Sequence, residues 1–134
     1  MTLITFRLPL FFGFMLCLIP IQAQKIKVSN LKPDVFKAKI EQTVNPCIID
    51  VRSSADFAYG HISHAINLDP LDFLFIKEVK RLCSTSDTIF VYCKMGKTSK
   101  TAAQAIVSNG FKQVVSLKGG ILAWEKKKFP VVME

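Results

Sequence analysis

One residue in this chain stands where a nucleophile would be placed. Cys93 lies in Val91-Tyr92-Cys93-Lys94-Met95-Gly96-Lys97-Thr98-Ser99. The β-branched and aromatic run Thr88 to Tyr92 before it reads as a buried strand. Ser99 to Asn109 after it reads as a helix, with Gly110 just past its end. A cysteine on a short turn between the two faces the first amides of the helix, which have no intrahelical partner, and the positive end of its dipole. Both stabilise the thiolate over the thiol, so more of such a cysteine is in its nucleophilic form at neutral pH. Lys94, Lys97 and Lys100 add positive charge nearby, and Gly96 permits the backbone angles of a tight loop. The competing reading is a buried cysteine acting as a small hydrophobe.

The remaining reactive side chains are sparser. Cys47 falls in the apolar run Cys47-Ile-Ile-Asp-Val51 and reads as core. His61 and His64 are three apart in a turn-like stretch with no further ligand cluster, so no metal site is expected. Asp50 and Arg52 close their strand as a potential ion pair.

The elements that must position these groups alternate. Short strands are expected at Lys25–Val28, Cys47–Val51, Ala65–Leu68, Thr88–Tyr92 and Gln113–Leu117. Helices are expected at Asp34–Gln42, Ser53–Tyr59, from Pro70 as first helical residue to Cys83, at Ser99–Asn109 and at Ile121–Lys128. Such alternation implies an α/β fold with a parallel central sheet and right-handed crossovers. In these sheets ligands bind beyond the carboxyl ends of the strands, where Cys93 falls.

The 134 residues suffice for one domain. Residues 1–23 differ from the rest: Arg7 is their only charge, and Leu8 to Ile19 is apolar before Pro20. With Ile21-Gln22-Ala23 as a cleavage site, they read as an export signal, leaving a domain at 24–134 with no stable membrane insertion. The protein is then expected to be exported, periplasmic in a bacterium and otherwise secreted. Formal net charge is +8, and only Arg7 of the 18 basic residues leaves with the leader, giving +7. The lysines are scattered, which argues against nucleic acid and for a field that attracts small anions. Cys47, Cys83 and Cys93 remain after cleavage, so at least one is unpaired or pairs with another molecule.

Several segments together resemble the rhodanese domain of thiosulfate sulfurtransferases. They are Ile48-Ile-Asp-Val-Arg52, Asp56 to Asn67 with its Gly60-His61-Ile62, and Phe90-Val-Tyr-Cys93. Leu117-Lys-Gly-Gly-Ile-Leu-Ala-Trp124 and Pro130-Val131 complete the order. The resemblance spans nearly all of 24–134 and implies a rhodanese-like fold with helices on both faces of the sheet. It implies Cys93 as catalytic nucleophile in a six-residue loop, Cys93 to Thr98, with Lys94, Met95, Gly96, Lys97, Thr98 and Ser99 binding substrate. Asp50 and Arg52 are read as supporting groups that brace the loop or pair with each other, His61 as satisfying a local turn, and Trp124 as packing. It further implies no cofactor, a small anionic sulfur donor such as thiosulfate or a persulfide, a thiol or cyanide acceptor, and a monomer.

Active members often carry Cys-Arg-x-Gly-x-Arg-Ser, whereas this chain places Lys94 and Thr98 at the arginine positions. A lysine keeps charge without the bidentate fork, and a threonine keeps neither. Two other readings compete with sulfur transfer. Phosphate-ester hydrolysis on the same fold uses a loop one residue longer ending in arginine, where this chain has Ser99. A non-catalytic protein-binding module is the other.

Overall fold

The computed structural model describes residues 27–134. The leader, and Lys25 and Ile26 of the expected first strand, lie outside the described residues. Five parallel strands form one sheet: β1 (Ser29–Leu31), β2 (Cys47–Asp50), β3 (Ile66–Asn67), β4 (Thr88–Tyr92) and β5 (Gln113–Leu117). Their spatial order is β1-β5-β4-β2-β3. The helices between and after them are α1 (Pro33–Gln42), α2 (Ser54–Tyr59), α3 (Phe75–Leu82), α4 (Lys97–Ser108) and α5 (Gly120–Lys126).

The sheet is buried on both faces, so its central strands are continuously apolar rather than alternating. Alternate residues still go to different sides. Ile89, Val91 and Cys93 join Phe75, Val79, Ala102, Ala103 and Ile106 on the α3 and α4 face. Phe90 and Tyr92 join Phe36, Ile121 and Trp124 on the α1 and α5 face. Phe36 packs edge-on against both Phe90 and Trp124. β4 lies between β2 and β5, with Asp50 opposite Tyr92 and Ser116 opposite Val91. It therefore delivers Cys93 to the centre of the sheet's carboxyl edge.

Three boundaries differ from expectation. β1 is Ser29–Leu31 rather than Lys25–Val28, because its pairing with Val115 to Leu117 sets the register and its own pattern is too weak to do so. α4 starts at Lys97, two residues before Ser99, with Gly96 as its cap in the left-handed region (φ 92°). α3 starts at Phe75, and Pro70 is not its first residue. The Asp69 carboxylate accepts from the Leu71 amide (2.9 Å) and the Asp72 carboxylate from the Leu74 amide (2.8 Å). Each aspartate holds a local turn that competes with the helix, and Leu71 and Phe73 are each left 92% exposed.

Cys47 is buried as expected, and it has a second role. It is disulfide-bonded to Cys83 across a sequence separation of 36, joining the start of β2 to the residue after α3. The third described cysteine, Cys93, is free.

Candidate active site

The turn after β4 folds back so that backbone amides converge on Cys93. The Gly96 amide donates to Sγ at 3.1 Å and the Ser99 amide at 3.2 Å. The second is a first-turn amide of α4, one of those without an intrahelical partner. That turn carries no acidic residue to oppose the helix dipole. Lys94, Met95, Lys97, Thr98 and Lys100 surround the loop with their side chains exposed. A sulfur anion in this position meets fixed N–H dipoles and a cationic rim.

The loop is closed from the other side by α5. The Ile121 amide donates to the Cys93 carbonyl (2.8 Å) and the Leu122 amide to the Lys94 carbonyl (3.2 Å). This close approach explains two glycines. A Cβ on Gly120 would stand 2.3 Å from the Lys94 carbonyl oxygen and 2.5 Å from that of Cys93. A Cβ on Gly96 would stand 2.9 Å from the Gly119 nitrogen, and both glycines have positive φ. The Gly-Gly pair is therefore part of the site's construction as well as a turn.

Asp50 and Arg52 pair with each other. Arg52 Nε and Nη2 reach the Asp50 carboxylate at 2.7–3.1 Å, and Nη2 also donates to the Gly60 carbonyl at 2.6 Å. Burial lowers the guanidinium's pKa, but hydrogen bonding and charge from Asp50 outweigh it, with Tyr92 adding, and the net shift is upward. The Asp50 side chain is wholly buried and that of Arg52 nearly so. Asn67 Nδ2 ties this corner together by donating to the Asp50 and Arg52 carbonyls. Next to it the Tyr92 hydroxyl accepts from the Ile62 amide (3.0 Å), and burial, reinforced by Asp50, raises the phenol's pKa well above its ordinary value. His61 stacks on Phe57 at 3.7 Å and its Nδ1 bonds the Phe57 carbonyl, the local role expected of it. Trp124 is buried packing, with its indole N–H donated to the Pro130 carbonyl.

Of the residues expected to bind substrate, the fold brings Lys94 to Thr98 around one mouth and turns Ser99 inward. The Ser99 side chain is fully buried, 3.3 Å from Cys93 Sγ and 3.1 Å from the Ser116 hydroxyl. Its burial is readable from spacing, because Ser99, Ala102, Ala103 and Ile106 form one helical stripe. Ser116 was not singled out by sequence reasoning. The signal is a lone hydroxyl inside Val114-Val-Ser-Leu117. Thr98 also lines an open cleft of about 620 Å³ with Arg52, Ser53, Asn67, Asp69 and Leu71.

The family model for the rhodanese-like domain matches residues 32–127, which contain every element from α1 to α5. The chain belongs to the rhodanese-like domain family. This rhodanese-like domain is 27% identical over 105 residues to a protein named sulfurtransferase from Allochromatium vinosum, covering 78% of this chain and 95% of that one. It is 34% identical over 95 residues to the thiosulfate sulfurtransferase GlpE of Pseudomonas fluorescens, covering 71% and 83%. Identity is also 34% to rhodanese-like domain-containing protein 17 of Arabidopsis thaliana, of which the chain spans only 62%. Among solved structures, the Alr3790 protein of Anabaena superposes with a TM-score of 0.70 at 26% identity, covering 78% of this chain and 82% of that one.

Proposed function

We propose that this rhodanese-like domain is a sulfurtransferase that carries sulfane sulfur as a persulfide on Cys93, acting outside the cytoplasm after removal of residues 1–23. The observation that supports it best is the pair of amides directed at a free cysteine's sulfur within a cationic loop. The named sulfurtransferases among its relatives support the reaction class.

In the first half-reaction the Cys93 thiolate attacks the outer sulfur of a small anionic donor such as thiosulfate. The sulfur–sulfur bond of the donor breaks, its electron pair leaves with sulfite, and Cys93 holds a persulfide anion. In the second, an acceptor thiolate (or cyanide) attacks the terminal sulfur and the Cys93 thiolate departs with the bonding pair. Splitting one transfer into two gives ping-pong kinetics. The amides stabilise the anion resting on Cys93, and the exposed lysines neutralise the donor and the departing anion. Phosphate-ester hydrolysis fits less well, since the seventh position of the loop is a buried serine rather than a cation.

Intact mass after thiosulfate treatment tests the reading. A gain of one sulfur atom, reversed by cyanide or a thiol, is expected. Cys93→Ser should fold normally yet show neither the gain nor turnover, because a hydroxyl forms no persulfide. No gain on the wild-type protein with any sulfane donor would leave the binding-module reading in its place. Export is tested separately, by whether the N-terminus of the protein outside the cytoplasm lies near Gln24.

A further inference from the structure

Ser116 lies on β5, on the face that Val91, Val114, Ala103 and Ile106 make apolar. It is fully buried, as is Ser99. A hydroxyl in such a place costs stability unless it is hydrogen-bonded, whereas alanine or valine would carry no such penalty. Its partner is the Ser99 hydroxyl at 3.1 Å, and Ser99 in turn meets Cys93 Sγ at 3.3 Å. The three side chains form a line from the sheet interior to the sulfur.

We propose that Ser116 is a positioning residue for Cys93, acting through Ser99 by setting which way the Ser99 hydroxyl points. This rests on Cys93 being the nucleophile of the preceding reading. With a neutral thiol, Sγ–H donates to Ser99 Oγ, and the Ser99 hydroxyl can donate onward to Ser116. When the thiol proton leaves to solvent, Ser99 Oγ loses that donor. The Ser116 hydroxyl then donates to Ser99 Oγ, and the Ser99 hydroxyl swings to donate to the thiolate. No proton passes along the line; two O–H bonds only rotate. The sulfur anion then has three donors: the Gly96 amide, the Ser99 amide and the Ser99 hydroxyl. Hydrogen bonds in series polarise one another in a low-dielectric interior. The same arrangement serves the thiolate leaving group of the second half-reaction.

The other charges close to this sulfur are on different elements. Lys94 is on the loop, Lys97 and Lys100 are at the start of α4, the Asp50–Arg52 pair ends the neighbouring β2, and Lys118 follows β5. None of them is altered by substitution at Ser116, so a change in the ionisation of Cys93 there reports on the hydroxyl line.

The test is the pH dependence of Cys93 alkylation by iodoacetamide, followed on the peptide that carries Cys93. It is measured on wild type, Ser99→Ala, Ser116→Ala, the double variant and Ser116→Thr, with thermal unfolding as a check on folding. Ser116→Ala should move the midpoint of the profile up by about one pH unit, roughly a tenfold loss of thiolate below it. Ser116→Thr, if folded, should restore most of the loss. In the Ser99→Ala background, Ser116→Ala should change nothing further, since its effect runs through Ser99. A wild-type profile for Ser116→Ala, or shifts that add in the double variant, would overturn the proposal. Because alkylation needs no sulfur donor, this result stands apart from persulfide formation.

Discussion

At the scale of single residues, Thr98 stands where the pattern that this loop resembles, Cys-Arg-x-Gly-x-Arg-Ser, has its second arginine. It is exposed at the loop's edge and faces the cleft shared with Arg52, whose guanidinium is already committed to Asp50 and Gly60. Arg52 is therefore a poor substitute for the missing fork, and the cations carried by the loop itself are Lys94 and Lys97. Hydrogen bonds to charged groups contribute roughly 1.5–3 kcal/mol, less at an exposed site. Thr98→Arg should accordingly lower KM for thiosulfate about tenfold with little change in kcat, the pattern of an interaction equal in ground and transition states. Steady-state kinetics on both proteins decide it. An unchanged KM would mean that the two lysines already fill the role, and a fall in kcat alone would mean a distorted loop. Cys93 and its loop were legible because a strand, a cysteine, a glycine and a helix follow one another directly. The inward direction of Ser99 is legible in the same way, from the spacing it shares with Ala102, Ala103 and Ile106. The start of α4 at Lys97 adds that the Ser99 amide lies in the first turn and reaches the sulfur.

Among the elements, the junction of the Cys93 loop with α5 carries the sharpest constraint. Gly120→Ala places a methyl within 2.3 Å of backbone and strains a residue at φ +63°. The expected outcome is loss of sulfur transfer together with a lowered Tm, because neither the loop nor α5 can retreat without breaking the bonds to the Cys93 and Lys94 carbonyls. A folded, active variant with unchanged Tm would show that the junction is looser than its geometry implies. The second element-scale feature is the Cys47–Cys83 bond. As unlinked thiols, two small buried side chains would each contribute on the order of 1 kcal/mol. Joined across a separation of 36 residues, they restrict the unfolded chain by roughly 3–4 kcal/mol on loop-entropy grounds. Cys47→Ala with Cys83→Ala, or reductant on the wild type, should lower stability in denaturant titrations by about that amount, with Cys93 still able to take up sulfur. The pairing was not legible because three cysteines allow several partners. Only the placement of α3 against β2 brings these two within 6.1 Å at Cα. The early start expected for α3 failed for a local reason: Asp69 and Asp72 hold turns that apolar spacing does not reveal.

For the molecule as a whole, the alternation of strands and helices was sufficient to read a parallel sheet covered on both faces. Strand order and the edge position of β1 were not readable, since they depend on pairings between distant segments. The buried corner of Tyr92, Asp50 and Arg52 couples this fold to pH. The Tyr92 phenol is held neutral in the folded state, its pKa raised by burial and by Asp50 above the ordinary value of 10.0. Its contribution to stability is thus complete below pH 10.0 and declines as pH rises beyond it, because the unfolded chain can ionise and the folded one resists. Unfolding titrations at about pH 9 and about pH 11 should show a drop that Tyr92→Phe reduces, while the variant loses ~1–3 kcal/mol at neutral pH by orphaning the Ile62 amide. An equal alkaline drop in both proteins would assign it to other groups. The placement of the sulfur atoms has its own consequence. Cys47 is in register with Ile89 of β4, and Cys93 is four residues beyond Ile89, just past the end of that strand. At about 3.3 Å per residue the two sites are on the order of 13 Å apart along the sheet. A persulfide and a disulfide are open to the same thiolate attack, so neighbours would scramble. Here the rigid strand acts as an insulator, and one sulfur can turn over without crosstalk to the pair that must stay joined.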